Sequence, residues 1–185
     1  MPRPDRIEGL AIVSVEGMIA DADGIQPPSL KLEADQKFFQ EQCARADVLV
    51  HGRYSGEGGP HYFERRRLIM TRQIPALAPD PDNPMALLWN PAGASLDKAW
   101  AELGFSGGLL TVIGGTEGFG HFLERGYDAF HLTRAAHAHL PGGRPVFPGV
   151  PERTPEDLLA AHGLKPGPTE ALDASDGVTL VTWTR

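Results

Sequence analysis

Leu109–Leu110–Thr111–Val112–Ile113–Gly114–Gly115–Thr116 is the stretch that decides the fold. Five residues, mostly branched and apolar, read as a short strand buried on both faces. The glycine pair follows at once. Beyond it, Phe119, Phe122 and Leu123 fall at helical spacing in a segment that Gly126 ends. Two glycines at a strand-to-helix turn let backbone approach a ligand with no Cβ in the way. The helix start adds free amides and the positive end of its dipole. A pyrophosphate suits such a place, although a glycine pair also makes ordinary tight turns.

The same alternation extends in both directions. Upstream, Ile7 to Val15 reads as a mostly apolar strand, and Met18 to Ser29 as a loop broken by Gly24 and Pro27–Pro28. A helical pattern begins at Leu32 and carries Phe38, Phe39 and Cys43. Asp47 to His51, Arg67 to Thr71 and Ala86 to Trp89 are short strands, with the Pro-rich Pro75 to Pro84 between the last two read as a surface loop. Ser95 is placed to cap a helix that stops at Gly104. Downstream, Tyr127 to Thr133 is a strand, and Thr154–Pro155–Glu156–Asp157 opens a short helix. Gly163 to Leu172 and Val178 to Trp183 form a closing pair around the Asp176–Gly177 turn. Strands alternating with helices predict a three-layer α/β/α arrangement, with a mainly parallel, twisted sheet and a C-terminal antiparallel hairpin. At 185 residues, with no repeat and no linker between two cores, residues 1–185 are expected to form a single domain.

Composition narrows the function. With 17 Lys+Arg against 24 Asp+Glu the chain carries −7, which disfavours sequence-independent nucleic-acid binding but leaves room for a nucleotide in one pocket. The single cysteine, Cys43, excludes an internal disulfide and any cysteine-based metal cage. No apolar run reaches transmembrane length, and Met1 to Glu8 has no signal pattern, so a cytoplasmic protein with no membrane partner is expected. His137–Ala138–His139 could set two imidazoles on one face of a strand, but no third ligand follows, and no metal is assigned.

In an open α/β sheet, ligands lie beyond the carboxyl ends of the strands. Here those ends carry His51–Gly52–Arg53–Tyr54–Ser55, Thr71–Arg72, Ile113–Gly114–Gly115–Thr116 and Thr133–Arg134. Arg53 and Arg72 offer charge for phosphate groups. Asp35, near a helix start, could hold a protonated ring nitrogen, or could be an acid that simply favours the positive helix end. Gly115 to Gly120 is not a dinucleotide fingerprint, because its glycines are misordered and no acid ends the next strand.

Taken in order, these motifs resemble the dihydrofolate reductase-like superfamily, which includes the reductase domain of the bacterial riboflavin-biosynthesis deaminase-reductase. The resemblance rests on Ser14–Val15–Glu16–Gly17–Met18–Ile19–Ala20, on Ala46–Asp47 leading to Gly52–Arg53–Tyr54–Ser55, and on Leu68–Ile69–Met70–Thr71–Arg72. It rests equally on Val112–Ile113–Gly114–Gly115, and on Tyr127–Asp128 leading to Leu132–Thr133 with Phe147–Pro148. Five motifs in order span nearly the whole chain, Ile7 to Arg185.

The resemblance implies a dihydrofolate reductase-like fold and an NADPH-dependent reductase, with NADH left open. It implies a small heterocyclic substrate, pyrimidine or pterin, whose C=N bond is reduced. Gly52, Arg53 and Ser55 would hold cofactor phosphates, and Thr71 and Arg72 would lie by the adenosine ribose. Gly114, Gly115, Thr116, Glu117 and Gly118 would cradle the pyrophosphate, while Ala11, Ile12 and Ile19 would flank the nicotinamide. Asp35 takes the place of the acidic substrate-binding and catalytic residue, with Thr133 as its hydroxyl partner. Arg65 falls where a substrate carboxylate or phosphate is held. The Gln26–Pro27–Pro28–Ser29–Leu30 loop lacks the tryptophan usual in folate enzymes, which favours a 5-amino-6-(5-phosphoribosylamino)uracil reductase-like activity in riboflavin biosynthesis. Dihydrofolate reductase activity, or nucleotide binding without catalysis, is the alternative. Riboflavin-type relatives imply a homodimer by analogy.

Overall fold

The computed structural model describes all 185 residues, Met1–Arg185. In chain order the elements are β1 (Arg6–Val13), β2 (Met18–Ala20), α1 (Glu33–Arg45), β3 (Val48–Gly52), β4 (Arg67–Met70), β5 (Leu77–Pro79) and β6 (Ala86–Trp89). There follow α2 (Leu96–Glu102), β7 (Leu109–Val112), α3 (Thr116–Arg125), β8 (Ala129–Ala135), β9 (Arg144–Pro145), α4 (Pro155–Ala161), β10 (Lys165–Asp173) and β11 (Val178–Thr184).

Nine strands make one sheet in the order β10-β11-β8-β1-β7-β3-β4-β6-β5. The six from β8 to β6 run parallel, and antiparallel strands close both edges. All six parallel strands therefore end at the same edge of the sheet. β7 slots between β1 and β3, so Val112 pairs with both Gly9 and Val50, and the chain after Val112 emerges at the middle of that edge.

The two faces are covered unequally. On one, α2, α3 and α4 bury Trp100, Phe119, Phe122, Leu158 and Leu159 against Val48, Val50, Leu68, Val112 and Phe130 in a 26-residue core. At ~25 cal/mol per Å² of apolar surface removed from water, this face supplies most of the drive to fold. The other face carries α1, and its buried apolar groups are small: Leu10, Cys43, Leu49 and Ile113 in one, Ile12, Leu30, Ala135 and Ala138 in another. Cys43 is inert there, with burial first among the causes that push its thiol up to about 12.

The helix signals act as read. The Ser95 hydroxyl accepts from Lys98 N at 3.2 Å, and the Thr154 hydroxyl accepts from Asp157 N at 3.0 Å. Short antiparallel pieces differ from expectation. β1 stops at Val13 rather than Val15, because the chain turns at Ser14, whose N–H donates to Met18 O at 2.9 Å and whose hydroxyl oxygen accepts from Met18 N at 3.1 Å. The Met18 to Ser29 loop contains β2, which pairs with β9, and the Pro75 to Pro84 loop contains the edge strand β5. Two- and three-residue strands are too short to show a period. β8 begins at Ala129 and continues through Ala135, whereas Tyr127 is buried and donates its hydroxyl to Phe119 O at 3.0 Å. His137 and His139 lie past the end of β8, both exposed, rather than on one face of a strand.

Under α1, the Glu8 carboxyl is nearly sealed from solvent and meets His131 Nε2 at 3.0 Å, Arg6 Nε at 2.5 Å and Arg45 Nη1 at 3.6 Å. Burial raises its pKa, but the His131 and Arg6 contacts outweigh burial and bring it from 4.5 to about 2. Ionised Glu8 thus adds stability above pH 4.5 that is lost as pH falls through about 2. Glu8→Gln is expected to lower the thermal midpoint near pH 6 by roughly 5 °C, for about 2 kcal/mol of charged hydrogen bonding, and to shrink that gap toward pH 2. A midpoint gap that does not vary with pH would show that the carboxylate is not held by these charges.

Candidate active site

The common edge where the parallel strands end opens into two adjoining cavities. The first, about 690 Å³, is lined by Gly52, Arg53, Tyr54 and Ser55 at and after the end of β3, and by Met70, Thr71 and Arg72 at and after the end of β4. Gly115, Thr116, Glu117, Gly118 and His121 of the α3 start and Arg144 of β9 also line it, with Asp23 after β2 and Asn90, Pro91 and Ala92 after β6. The second, about 620 Å³, is lined by Leu10, Ala11 and Ile12 of β1, Ile19 and Ala20 of β2, Asp35, Gln36, Phe39 and Gln40 of α1, and Thr133 of β8. Ile19, Ala20, Gly24, Tyr54, Ser55 and Gly115 border both, so the two form one continuous cleft.

The first cavity is built for an anion. The amides of Thr116, Glu117 and Gly118 precede the first intrahelical bond, from Phe119 N to Gly115 O at 2.9 Å. With no capping side chain, they keep free donors at the positive end of a ten-residue helix. Arg53, Arg72 and Arg144, all exposed, add three cations along the same wall. Arg72 Nη2 reaches Glu117 Oε1 at 2.8 Å, an ion pair so exposed that an incoming phosphate can compete for the guanidinium. A dinucleotide's phosphates fit this donor set.

The second cavity suits a heterocycle. Its hydrophobic wall includes Leu10, Ile12, Ile113 and Phe119, and Asp35 lies in the first turn of α1 with 7% of its surface exposed. Burial pushes the carboxyl up to about 6, and the Thr133 hydroxyl offsets part of that by hydrogen bonding to the charged form. Near neutral pH the group is poised to exchange a proton.

The sequence matches no protein-family model and no curated protein. Solved structures do match. A candidate riboflavin biosynthesis protein from a Shewanella species aligns over 97% of this chain and 98% of its own, with TM-score 0.64 and 20% identity. Dihydrofolate reductase from Enterococcus faecalis, complexed with NADP(H), aligns over 100% and 99%, with TM-score 0.65 and 16% identity. The Thermotoga maritima diaminohydroxyphosphoribosylaminopyrimidine deaminase/5-amino-6-(5-phosphoribosylamino)uracil reductase aligns over 98% of this chain and 56% of its own, with TM-score 0.65 and 17% identity. The fold is dihydrofolate reductase-like.

Within that fold most of the expected residues converge on the cleft. Gly52, Arg53, Ser55, Thr71, Arg72 and Gly115 to Gly118 border the first cavity; Ala11, Ile12, Ile19, Asp35, Gly114 and Thr133 border the second. Three have geometries the sequence did not suggest. Thr116 spends its hydroxyl on Pro145 O at 2.5 Å, so only its amide is free for a ligand. Gly114 is not bare. A Cβ there would lie 2.7 Å from Ser55 O and 2.9 Å from Ser55 Cβ, so this glycine admits the loop after β3, not a ligand. Arg65 borders neither cavity and gives its guanidinium to Glu57 at 3.1 Å and Gln40 at 3.0 Å.

Sequence reasoning missed Glu57, Arg144 and the buried Arg67. Arg67 contacts the His51 ring, whose Nδ1 meets Gly52 O at 2.7 Å and whose Nε2 lies 3.3 Å from Arg67 Nη1. Burial, then the Arg67 charge, lowers the His51 pKa, which keeps the ring neutral and its Nε2 able to accept. The run Arg65–Arg66–Arg67 entering an apolar strand was the available signal, since the first strand residue must face inward or outward with its charge.

Proposed function

We propose that the protein is a reductase dependent on a nicotinamide dinucleotide, acting on the C=N bond of a pyrimidine or pterin-type heterocycle. The observation that carries this reading is that the buried Asp35 carboxyl lines a cavity of about 620 Å³ continuous with the uncapped start of α3. The chemistry a bound reduced nicotinamide supplies is hydride donation to the carbon of that bond.

The chain's own residues do the rest. The α3 amides and Arg53 would grip the phosphates, and Ala11, Ile12 and Ile19 would flank the ring that carries the hydride. Asp35 would orient the heterocycle and keep a proton at its nitrogen, making the carbon more electrophilic. The reaction consumes one proton with each hydride, so a carboxyl that ionises near neutral pH is well matched to it. A riboflavin-type substrate, whose ribosylamino group becomes ribitylamino, is preferred because the loop before α1 lacks tryptophan. The second reading, a folate-type pterin, draws on the pairing of Asp35 with Thr133.

The test is oxidation of NADPH, followed by its absorbance, with ribosylaminopyrimidines and dihydrofolate as acceptors. Cofactor binding without turnover of either class would leave a non-catalytic nucleotide-binding protein. Arg72 bears on cofactor choice. Replacing it with Gln is expected to weaken NADPH roughly five- to tenfold, the worth of one partly exposed charge-assisted contact, and NADH by less than about twofold. Equal losses in a fluorescence titration would mean that Arg72 does not read the extra phosphate.

A further inference from the structure

His51, the fourth residue of β3, is fully buried and lines neither cavity. A polar ring in such a place needs partners for both nitrogens. Nδ1 lies 2.7 Å from Gly52 O, which can only accept, and Nε2 lies 3.3 Å from Arg67 Nη1, which can only donate. Together these contacts select one neutral tautomer, with the proton on Nδ1. Arg67 is itself braced. It is fully buried and held by Glu57 Oε1 at 2.5 Å, Glu57 Oε2 at 2.9 Å and Tyr62 O at 2.8 Å. The chain beyond Ser55 packs on the same imidazole, since a Cβ on Gly56 would lie 3.1 Å from His51 Cε1.

What His51 holds is the turn between the two cavities. Gly52 O also accepts from Ser55 N at 3.1 Å, closing a turn over Arg53 and Tyr54, and Gly52 N donates to Gly114 O at 3.3 Å. Ser55 borders both cavities. The Gly52–Arg53 peptide is trans, so its N–H points opposite to its C=O. With the carbonyl drawn toward the imidazole, the Arg53 N–H is turned away from the ring, at the border of the first cavity, and no backbone carbonyl takes it. A free main-chain donor beside the Arg53 guanidinium suits a phosphate oxygen.

We propose that His51 is a positioning residue for the phosphate-bearing ligand of the first cavity: by donating to Gly52 O from a ring braced on Arg67, it aims the Arg53 N–H at a phosphate oxygen. That this ligand is a nicotinamide dinucleotide rests on the reading above; the aiming rests on the His51 contacts.

Titrations of the intact chain with NADPH and with ADP-ribose test the inference through two replacements of equal shape. Asparagine carries an amide nitrogen where His51 has Nδ1, whereas leucine carries a methyl group there. Both lose the ring, so both are expected to lower the thermal midpoint by a similar amount. His51→Leu should raise the two dissociation constants at least about tenfold, the worth of one hydrogen bond to a charged group, and His51→Asn by less than about threefold. A merely structural role for the ring would move the two variants alike. Should His51→Leu not fold, amide exchange in the wild type decides: the Arg53 N–H is expected to exchange at least about tenfold more slowly once ADP-ribose is bound. Equal losses in the two variants, unchanged affinities in folded His51→Leu, an Arg53 amide indifferent to the ligand, or a wild type that binds neither ligand would overturn the proposal. Turnover is read separately by NADPH oxidation. The expected Leu–Asn contrast in a protein that turns over neither class of acceptor overturns the reductase reading and leaves the positioning standing; NADPH oxidation with equal affinities in wild type and His51→Leu does the reverse.

Discussion

Asp35→Asn is expected to cut turnover by at least about 100-fold, the lower end of what a positioned acid contributes, while leaving the NADPH dissociation constant nearly unchanged. Asparagine keeps the volume and can still bond Thr133, but it can neither hold the exchangeable proton nor carry the charge. In the wild type, kcat/KM should fall about tenfold per pH unit above about 6, where the carboxyl ionises. That descending limb should be absent in the variant. The same substitution should stabilise the fold. A carboxyl raised from 3.8 to about 6 lets the native state bind more protons than the unfolded chain between those values, so stability falls as pH rises through them. Asparagine removes that penalty, worth up to about 3 kcal/mol above pH 6 and nothing below pH 3.8, or roughly 5–10 °C in the midpoint of a chain this size. Lower turnover with a higher midpoint is a signature that a merely structural acid would not give. Unchanged turnover would reduce Asp35 to an acid at a helix end.

Gly115→Ala carries the second large effect, on cofactor affinity. Gly115 sits at φ +71° and ψ 145°, a conformation in which a Cβ is strained whatever the surroundings. The added methyl would lie 3.1 Å from the Ser55 hydroxyl, which can rotate away, so backbone strain of about 1–3 kcal/mol dominates. The chain relieves it by turning the peptide that aims the Thr116, Glu117 and Gly118 amides. The NADPH dissociation constant is therefore expected to rise about tenfold or more, since charge-assisted hydrogen bonds weaken steeply with angle, and the thermal midpoint should drop by several degrees. An unaltered titration would remove the α3 start from the cofactor site.

Some of this was written plainly in the chain. The apolar run from Leu109 and the glycine pair after it mark β7, its turn and α3, because a buried parallel strand and a helix start each impose a local pattern. Ser95 and Thr154 announce their helices because capping acts within three residues. Asp35 and Thr133 could be joined as a pair only through the resemblance. They lie almost one hundred positions apart, and neither has a local signature. Which acid meets Arg65 and Arg67 was out of reach for a related reason: Glu57 lies in an irregular glycine-rich loop, where no periodicity says which charge turns inward. Gly114 shows a third limit. A glycine looks the same in sequence whether it makes room for a ligand or, as here, for the Ser55 backbone.

The unequal covering of the sheet separates rigidity from recognition. Most of the large buried apolar side chains lie beneath α2, α3 and α4, whereas Asp35, Gln36, Phe39 and Gln40 project from α1 on the opposite face. A lineage can therefore rewrite the α1 surface, and with it the shape and polarity of what is admitted, while leaving the heavily packed half undisturbed. Such a division of labour lets one scaffold diversify in its choice of molecule without repeatedly crossing the threshold of unfolding.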